Sequence, residues 1–430
     1  MALFVATSAL WLCLVSPGFD ACRRAFGRDF LAFYAAGTMV REGRGADLYD
    51  LDAIRRVEQH VARSAGYELD AIAPWWNPPP CAWLFAPLSV LPYTTALTIW
   101  TATNLAAGAG AAYLLGRLAA PHSRPDRALL ALLVLASPPF LQSIVHGQNG
   151  AISLLLVTVA VTAWRSGKLF LASACLGLLL YKPQLAAALA VVLVLHRGWR
   201  AGAGLAYVGC VLLALTAQTL PGSLPDYIHR LPHNLHAIQV EQTYLWERHV
   251  TLKAFWRLLL QGRGPGETSW LVTTLTVLTA LPLALGLFVA ARRTKKTMGG
   301  MGKAEPYPWP GLSNVDKESA PPTAPDRLVA AAVACTPLLM PFYFDYDLLL
   351  LVVAAALTTN LSRRAMVLWS ALYVWLFVNP YVAGAVRFNL TVPLLWCVAV
   401  HLVDRALHGE QRNRLVETVT DAPAPLAAAA

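Results

Sequence analysis

Long runs of apolar residues recur along almost the whole chain, and short polar turns separate them. Such a run crosses the roughly 30 Å hydrocarbon layer of a bilayer as an α-helix, because lipid offers the backbone no other hydrogen-bond partner. The pattern predicts an all-α polytopic membrane protein with about twelve transmembrane helices. The predicted spans are residues 1–15, 93–118, 128–145, 151–164, 169–182, 185–195, 201–218, 269–290, 328–341, 346–361, 365–377 and 388–403.

Composition strengthens the membrane assignment. Hydrophobic residues make up 57% of the chain and charged residues 13%, whereas soluble domains carry about 25% charged residues. The first apolar run is therefore predicted to be a membrane span and not a removable signal peptide, since further spans follow it. Several spans are short, and those on either side of Pro183 are predicted to be half-helices that meet inside the protein.

Lysine and arginine in the short turns predict how the chain is oriented across the membrane, because such residues favour the cytoplasmic side. With the N-terminus inside, alternate turns are basic, and residues 1–407 form one transmembrane domain with both chain ends in the cytoplasm. The cytoplasmic turns carry Arg117, Arg124, Arg127, Arg165, Lys168, Arg197, Arg200, Arg292, Arg293, Lys295, Lys296, Arg363 and Arg364. The net charge of +10 is thus mainly a topology signal, and no nucleic-acid partner is expected.

Two long loops are predicted to be structured and to face outward: residues 16–92, the first loop, and residues 219–268, the second loop. Helical spacing of apolar residues at 30–41 and 51–65 predicts two amphipathic helices that lie on the bilayer interface. Long ordered loops usually carry function. The second loop, rich in histidine, glutamate and aromatic residues, is expected to form a platform for a sugar substrate.

Two further segments are predicted to lack fixed structure. Residues 294–326 are rich in Gly, Pro and Lys and indicate a flexible cytoplasmic linker, and residues 408–430 indicate a disordered tail.

Cys22 and Cys81 share the first loop, so a disulfide is possible if that side is oxidising. No spacing of Cys or His residues indicates a metal site.

Polar motifs fall at the predicted outer ends of the spans and are expected to converge on one face of the membrane. They are Asp29 and residues 75–80, 146–150, 181–184 and 342–347. Lys182 follows Lys168 by about 21 Å along a helix, which places its ammonium group within membrane depth. An ionisable group there indicates function, and the alternative is a lysine that reaches to the surface.

These motifs, in this order, resemble glycosyltransferase family 87, a family of polyprenyl-phosphate-sugar-dependent enzymes of the C-type (GT-C) fold that includes mycobacterial α-mannosyltransferases and an arabinofuranosyltransferase. The resemblance extends over about residues 29–350. Its pieces are Asp29-Phe30 with Tyr34-Ala35-Ala36, Gly45 to Asp50, Asn77-Pro78-Pro79 leading to Pro92, Gly147-Gln148-Asn149, Lys182-Pro183-Gln184 followed by Arg197 to Arg200, and Tyr346-Asp347-Leu348-Leu349-Leu350.

The resemblance implies a GT-C helical bundle, a lipid-phosphate-linked sugar donor and inversion at the anomeric carbon. It also implies that Asp29 is the general base. Charge grows on the donor phosphate as it leaves, so a fixed cation beside it would stabilise the transition state. Lys182 is the first candidate, with Arg28 and Arg248 as further contacts. No metal and no cofactor are expected.

A further set of polar and aromatic residues is predicted to bind substrate: Tyr34, Trp76, Asn77, His146, Gln148, Asn149, Gln184, Asp345 and Asp347. Three have structural alternatives. One of the two aspartates, Asp345 or Asp347, is as well explained as a helix cap. For His146 a hydrogen-bonded turn residue is the favoured explanation, and Trp76 is equally well explained as an interfacial aromatic residue.

The predicted protein is an inverting glycosyltransferase in the bacterial cytoplasmic membrane with its site on the outer face. The donor sugar is expected to be mannose, with arabinofuranose as the alternative, and the acceptor a glycolipid or polysaccharide. A transporter or flippase of lipid-linked sugars is the competing prediction. A proton-coupled transporter should place carboxylates in mid-span, whereas this chain places its aspartates at helix ends.

Overall fold

The computed structural model describes residues 26–66, 69, 72–119, 124–299, 323–358, 363–386 and 389–420. Within these ranges every regular element is a helix, and one isolated β-bridge joins His249 to Phe344. The all-α prediction is therefore confirmed for this part of the chain. The first predicted span, residues 1–15, and Cys22 lie outside the described residues.

The described residues form sixteen α-helices. In chain order they are α1 Phe30–Arg41, α2 Leu51–Ser64, α3 Tyr93–Leu118, α4 Arg124–Leu135, α5 Pro138–His146, α6 Gly150–Arg165, α7 Leu169–Leu178, α8 Ala187–Arg197, α9 Ala203–Thr219, α10 Ser223–Gln239, α11 Leu252–Gln261, α12 Trp270–Gly299, α13 Ala324–Leu339, α14 Leu351–Thr358, α15 Arg363–Val386 and α16 Thr391–Thr420. Short 3-10 helices lie at Gly45–Asp47, Pro79–Leu84, Leu88–Val90, Leu179–Tyr181, Pro183–Leu185, Trp199–Gly202, Trp246–Arg248 and Asp345–Leu350.

Two of the described helical segments, Trp199–Thr219 and Trp270–Lys295, are long and apolar enough to cross a membrane unaided. A third candidate is the pair Arg127–Leu135 and Pro138–His146, which is bent by 48° at its break. Other apolar helices are shorter because turns and prolines interrupt them. The apolar helices and the exposed apolar surface of the bundle indicate a membrane protein, and the count of twelve spans stays a prediction.

Helix α13 lies at the centre of the bundle, where α8, α12, α14 and α16 pack around it. Its side chains are buried continuously from Asp326 to Leu338. Alanines on this helix, among them Ala330 and Ala334, are fully buried. Small side chains let neighbouring helices approach closely in a membrane, where packing is the main attraction between helices. On the other side of the bundle, α7 packs between α6 and α9.

Helices extend into both segments that the sequence predicts to be irregular. Helix α12 continues to Gly299 and α13 begins at Ala324, so the predicted linker 294–326 is shorter at both ends. Helix α16 continues to Thr420, where the sequence predicts a disordered tail. Strong helix formers such as Glu, Gln, Arg and Leu explain this extension. Residues 300–322 and 421–430 lie outside the described residues.

The first loop is structured, and its two helices form a hydrophobic core of their own. Helix α1 is buried continuously from Phe30 to Val40, so the prediction that it lies on the bilayer interface is wrong. Gly37 makes this burial possible, because a Cβ atom there would lie 2.5 Å from the carbonyl carbon of Phe85. Helix α2 is amphipathic and buries one face, which includes Ile54 and Val57.

Glu58 is the exception on that buried face. Its side chain is completely buried, and its Oε2 atom accepts a hydrogen bond from the backbone N–H of Ala73 at 3.0 Å. Among the described residues its Oε1 atom has no partner. Burial raises the pKa of Glu58 from its ordinary value to about 8, so the folded protein holds this carboxyl group in its neutral form at pH 7.

We expect Glu58 to make stability depend on pH. Its pKa is higher in the folded state, so its contribution is fully present below the unfolded pKa, about 4.5, and is lost as the pH rises through about 8. The melting temperature of the purified protein in detergent should fall across this range. Glu58→Gln should flatten the fall, since the amide resembles the neutral acid. An equally steep fall in the variant would contradict the assignment.

Candidate functional site

The start of α1 is fastened to the turn between α5 and α6. The backbone N–H of Gly27 donates to the carbonyl of Val145 at 2.8 Å, and that of Asp29 donates to the carbonyl of His146 at 3.0 Å. Gly147 ends α5 with a left-handed φ of 70°. A Cβ atom on this glycine would lie 2.7 Å from the Cβ of Phe30. The turn therefore needs glycine, and it fixes Asp29 beside the side chains of the turn.

Four side chains form a hydrogen-bonded chain that starts at Asp29 and ends at Asp347. The Nε2 atom of Gln148 donates to Oδ2 of Asp29 at 2.8 Å. The Oε1 atom of the same amide accepts from Nζ of Lys182 at 3.0 Å. Lys182 also forms an ion pair with Asp347, 3.3 Å from Nζ to Oδ1. The chain connects the first loop with the broken helix and with the segment before α14.

Lys182 occupies a break in the helical backbone, as the sequence predicts. Helix α7 ends at Leu178, and two 3-10 helices flank Lys182, whose φ and ψ are −137° and 74°. Pro183 explains the break, because a proline disfavours helical geometry at the residue before it. The break turns the lysine into the bundle, where only 12% of its side chain is exposed.

The second loop brings a second cation to the same place. The backbone N–H of Val250 donates to the carbonyl of Tyr343 at 2.8 Å, next to the bridge between His249 and Phe344. Arg248 then reaches Asp345 with two hydrogen bonds, 3.2 Å from Nε and 3.0 Å from Nη2.

Arg248 also joins the second loop to the turn after α5. Its Nη2 atom lies 3.3 Å from Nε2 of His146. His146 is thus more than a turn residue, since its side chain contacts the arginine and its carbonyl binds the backbone of Asp29. We call these seven residues the polar cluster: Asp29, His146, Gln148, Lys182, Arg248, Asp345 and Asp347.

Aromatic rings separate the two cations of the polar cluster. The Tyr346 ring lies 4.9 Å from Nζ of Lys182 and 5.7 Å from the guanidinium carbon of Arg248, measured to the ring centroid. Phe344 stacks on Tyr346 with the ring centroids 5.2 Å apart. A cation near the face of an aromatic ring is attracted electrostatically by the ring. Tyr346 belongs to a motif of the resemblance but is not among the residues predicted to bind substrate, although the two flanking aspartates are.

In the second loop, Arg248 is held in its charged form and the neighbouring His249 in its neutral form. Burial lowers the pKa of Arg248, but the Asp345 carboxylate outweighs this effect and raises the pKa above its ordinary value. Burial, with the positive charges of Arg248 and Lys253, lowers the pKa of His249 to about 3. Neutral His249 lies 2.7 Å from the hydroxyl of Tyr244 through Nε2 and so supports the loop that carries Arg248.

Some N–H groups of the polar cluster have no acceptor among the described residues and can donate hydrogen bonds to a ligand. The ammonium group of Lys182 has three N–H bonds, and Gln148 and Asp347 accept two of them. Among the described residues none accepts a hydrogen bond from Nη1 of Arg248. Arg28 is exposed next to Asp29 and forms no ion pair within the described ranges. An anion that enters the cluster therefore finds several N–H groups without breaking the existing pairs.

The structure brings together most of the predicted site residues. Asp345 and Asp347 both form ion pairs. Oδ1 of Asp345 also accepts a hydrogen bond from the backbone N–H of Tyr346 at 2.9 Å, in the first turn of the 3-10 helix Asp345–Leu350, so the helix-end role predicted for one of the two aspartates stays open for Asp345. Asn149 is buried beside Gln148, and its Oδ1 atom has no hydrogen-bond partner among the described residues.

Four predicted binding residues lie away from these contacts. Tyr34 is buried, and its hydroxyl donates to the carbonyl of Leu91 at 2.8 Å, so its role is structural. Asn77 is also buried, and its carbonyl accepts a hydrogen bond from Tyr49. Trp76 and Gln184 are half-buried and make no hydrogen bond or ring contact with the polar cluster in the part of the chain that the structure describes.

No group of three or more His, Cys, Asp or Glu side chains within the described ranges is arranged to hold a metal ion. The three aspartates of the polar cluster are instead held by Gln148, Arg248 and Lys182. Metal independence of the reaction stays a prediction.

Fold and site together define a helical membrane protein that gathers charged and aromatic side chains at one end of its bundle. Residues 75–301, more than half of the chain, match the model of Glycosyltransferase family 87. The chain belongs to this family and is a glycosyltransferase. Comparisons with curated proteins and with solved structures find no match.

The family match includes the turn at His146–Asn149, Lys182 and Arg248. Asp29 precedes the matched residues, and Asp345 and Asp347 follow them. Membership confirms the resemblance inferred from the sequence and favours sugar transfer over the transporter or flippase alternative. The roles of individual residues rest on the geometry of the polar cluster.

Proposed function

We propose that the protein is an inverting mannosyltransferase that takes its sugar from a polyprenyl-phosphate-linked donor. The acceptor is a glycolipid or polysaccharide at the outer face of the bacterial cytoplasmic membrane. The observation that carries this proposal is the hydrogen-bonded chain from Asp29 through Gln148 to Lys182. It holds a carboxylate and a cation at a fixed separation, which is what a single displacement at a sugar phosphate requires.

Asp29 acts as the general base in this proposal. Its carboxylate accepts the proton of the acceptor hydroxyl while the oxygen attacks the anomeric carbon. The bond from that carbon to the phosphate oxygen breaks on the opposite side, and the electron pair stays on the phosphate. A single displacement inverts the anomeric centre and needs no covalent enzyme intermediate. The products are the glycosylated acceptor and polyprenyl phosphate.

Lys182 and Arg248 stabilise the leaving phosphate. The third N–H of Lys182 and the Nη1 group of Arg248 are the donors that the polar cluster leaves for phosphate oxygens, and Arg28 adds a positive charge at the entrance. Asp347 and Asp345 hold the two cations in place before the substrate arrives. Preorganised charges of this kind stabilise the transition state without reorganisation during the reaction.

Transfer from a defined donor tests the proposed function. Membranes that contain the wild-type protein should move radiolabelled mannose from polyprenyl-phosphate-mannose to membrane lipids or polymers. GDP-mannose should not serve as donor once synthesis of the lipid-linked donor is blocked. The opposite preference would overturn the proposed donor class. The same assay with polyprenyl-phosphate-arabinofuranose tests the identity of the sugar. Faster transfer of arabinofuranose than of mannose would show that arabinofuranose is the donor sugar.

Metal removal gives a separate prediction. Because the cations of the polar cluster occupy the role that a divalent ion would have, we expect EDTA to leave the transfer rate unchanged. The control is a metal-dependent glycosyltransferase assayed in the same membranes, which EDTA must inhibit. A loss of transfer that added Mg²⁺ or Mn²⁺ restores would show that a metal ion takes part.

A further inference from the structure

The hydroxyl group of Tyr346 lies inside the polar cluster and takes no part in the contacts that hold the cluster together. The side chain as a whole is buried, with 4% of its surface exposed. Its hydroxyl forms no hydrogen bond with any described residue, and the hydroxyl oxygen is not closed off from solvent. The ring is therefore packed into the protein while its polar tip can accept a ligand.

The other buried tyrosines of the described ranges differ from Tyr346 in this respect. Each of these four hydroxyl groups donates a hydrogen bond to a backbone carbonyl: Tyr34 to Leu91 at 2.8 Å, Tyr49 to Asn77 at 2.8 Å, Tyr93 to Gly27 at 2.8 Å and Tyr343 to Asp347 at 3.0 Å. A buried tyrosine hydroxyl usually has such a partner. Since the fold satisfies four of the five, the fifth indicates a partner that is not part of the protein.

Contacts on several sides hold the Tyr346 ring in one orientation. Phe344 stacks on the ring with 8° between the two planes. The ammonium group of Lys182 and the guanidinium group of Arg248 lie 4.9 and 5.7 Å from the ring centroid. The backbone of Tyr346 is also anchored, because its N–H donates to Asp345 at 2.9 Å. The direction of the hydroxyl is thus set before a substrate arrives.

The carboxylates around the hydroxyl are already engaged. Three carboxylates and Arg248 lie close enough to act on the Tyr346 hydroxyl electrostatically. Other side chains hold these carboxylates: Gln148 holds Asp29, Arg248 holds Asp345 and Lys182 holds Asp347. At pH 7 a phenol carries its proton, so the hydroxyl offers a ligand one O–H donor.

The two cations beside the ring select the ligand. Lys182 and Arg248 are the proposed contacts of the leaving phosphate, and the ring of Tyr346 lies between them. A hydrogen bond to an ionised acceptor is roughly twice as strong as one between neutral groups. A phosphate oxygen therefore gains more from this donor than a sugar hydroxyl does, and the cations attract the phosphate to the same place.

We infer that Tyr346 is a further catalytic residue, whose hydroxyl donates a hydrogen bond to an oxygen of the leaving phosphate. The inference rests on the proposed function for the class of donor. As the bond from the anomeric carbon to the phosphate oxygen breaks, the electron pair stays on the phosphate and its negative charge grows. The hydrogen bond therefore becomes stronger towards the transition state. The tyrosine keeps its proton throughout.

Tyr346→Phe tests the inference, because it removes the hydroxyl and keeps the ring with its contacts to both cations. Polyprenyl phosphate, the product, carries the charge that develops in the transition state. We expect its affinity for the purified full-length protein in detergent, measured by calorimetry, to fall about ten- to a hundredfold, as for a lost hydrogen bond to a charged group. The kcat of transfer from polyprenyl-phosphate-mannose should fall about 10²-fold.

Tyr49→Phe is the matched control, and the two variants should behave in opposite ways. Tyr49→Phe takes a hydrogen bond from the carbonyl of Asn77, so it should lower the melting temperature and keep the wild-type affinity for polyprenyl phosphate. Tyr346→Phe should keep the melting temperature, since its hydroxyl has no partner among the described residues. Uncharged polyprenol, the control ligand, should bind the wild type and both variants equally.

Several outcomes would overturn the inference. Wild-type affinity for polyprenyl phosphate in Tyr346→Phe would do so, as would a lower melting temperature with an unchanged kcat, which would make the hydroxyl a structural group. Absence of polyprenyl phosphate binding by the wild type would also overturn it. A failed mannose transfer with the expected difference in polyprenyl phosphate affinity would refute only the proposed sugar or acceptor and would support the role of Tyr346.

Discussion

Asp29→Asn is expected to lower the rate of sugar transfer about 10²- to 10⁴-fold, the usual contribution of a positioned general base. The substitution removes the proton acceptor but keeps the size of the side chain. The asparagine Oδ1 atom can still accept the hydrogen bond that Gln148 donates to Asp29 at 2.8 Å. The loss should therefore appear in kcat, with protein level and melting temperature close to those of the wild type.

The measurement is transfer of radiolabel from polyprenyl-phosphate-mannose in membranes with matched amounts of protein. Asp52→Asn is the control variant, because Asp52 lies in the same loop with 74% of its side chain exposed and, among the described residues, forms an ion pair with Arg55 alone. It should transfer at the wild-type rate. Wild-type activity in Asp29→Asn would show that another group is the base.

Lys182→Met should reduce transfer about 10²- to 10³-fold, comparable to the removal of one preorganised donor from an oxyanion site. Methionine keeps the length of the side chain and removes its charge. The ion pair with Asp347 complicates this substitution, because the carboxylate is 1% exposed and would remain buried alone. Breaking such a pair costs about 3–5 kcal/mol, so the single variant should also be less stable.

A double variant separates the two effects. Lys182→Met with Asp347→Asn removes both charges and should restore the melting temperature, since neutral partners leave no isolated buried charge. Transfer should stay low because the cation is still absent. Lys168→Met, which changes an exposed lysine at the other end of the same helical segment, is the control for charge alone. Recovery of transfer in the double variant would limit Lys182 to a structural role.

The sequence was most informative where a polar residue interrupts an apolar run. Lys182 before Pro183, and the pair Gln148-Asn149 between Gly147 and Gly150, are costly in a membrane helix and common at a break that serves a site. The predicted convergence of these residues on Asp29 and Asp347 is confirmed by their contacts. Family membership then gives the class of reaction.

Other positions required the structure. The apolar pattern of α1 predicts a helix on the bilayer surface. In the structure Gly37 packs against the backbone of Phe85, and this close approach buries the helix together with Tyr34. Tyr346 reads as an ordinary aromatic residue until two cations are seen at its ring.

The amide of Gln148 sets the distance between the carboxylate of Asp29 and the ammonium group of Lys182. If these two charges touched, each would neutralise the other and neither would be free for a substrate. The neutral amide instead keeps the proposed base and the proposed phosphate-binding cation apart while it holds both of them. A side chain shorter by one methylene, as in Gln148→Asn, could not reach both groups, so one of the two would lose its hydrogen bond and its fixed position.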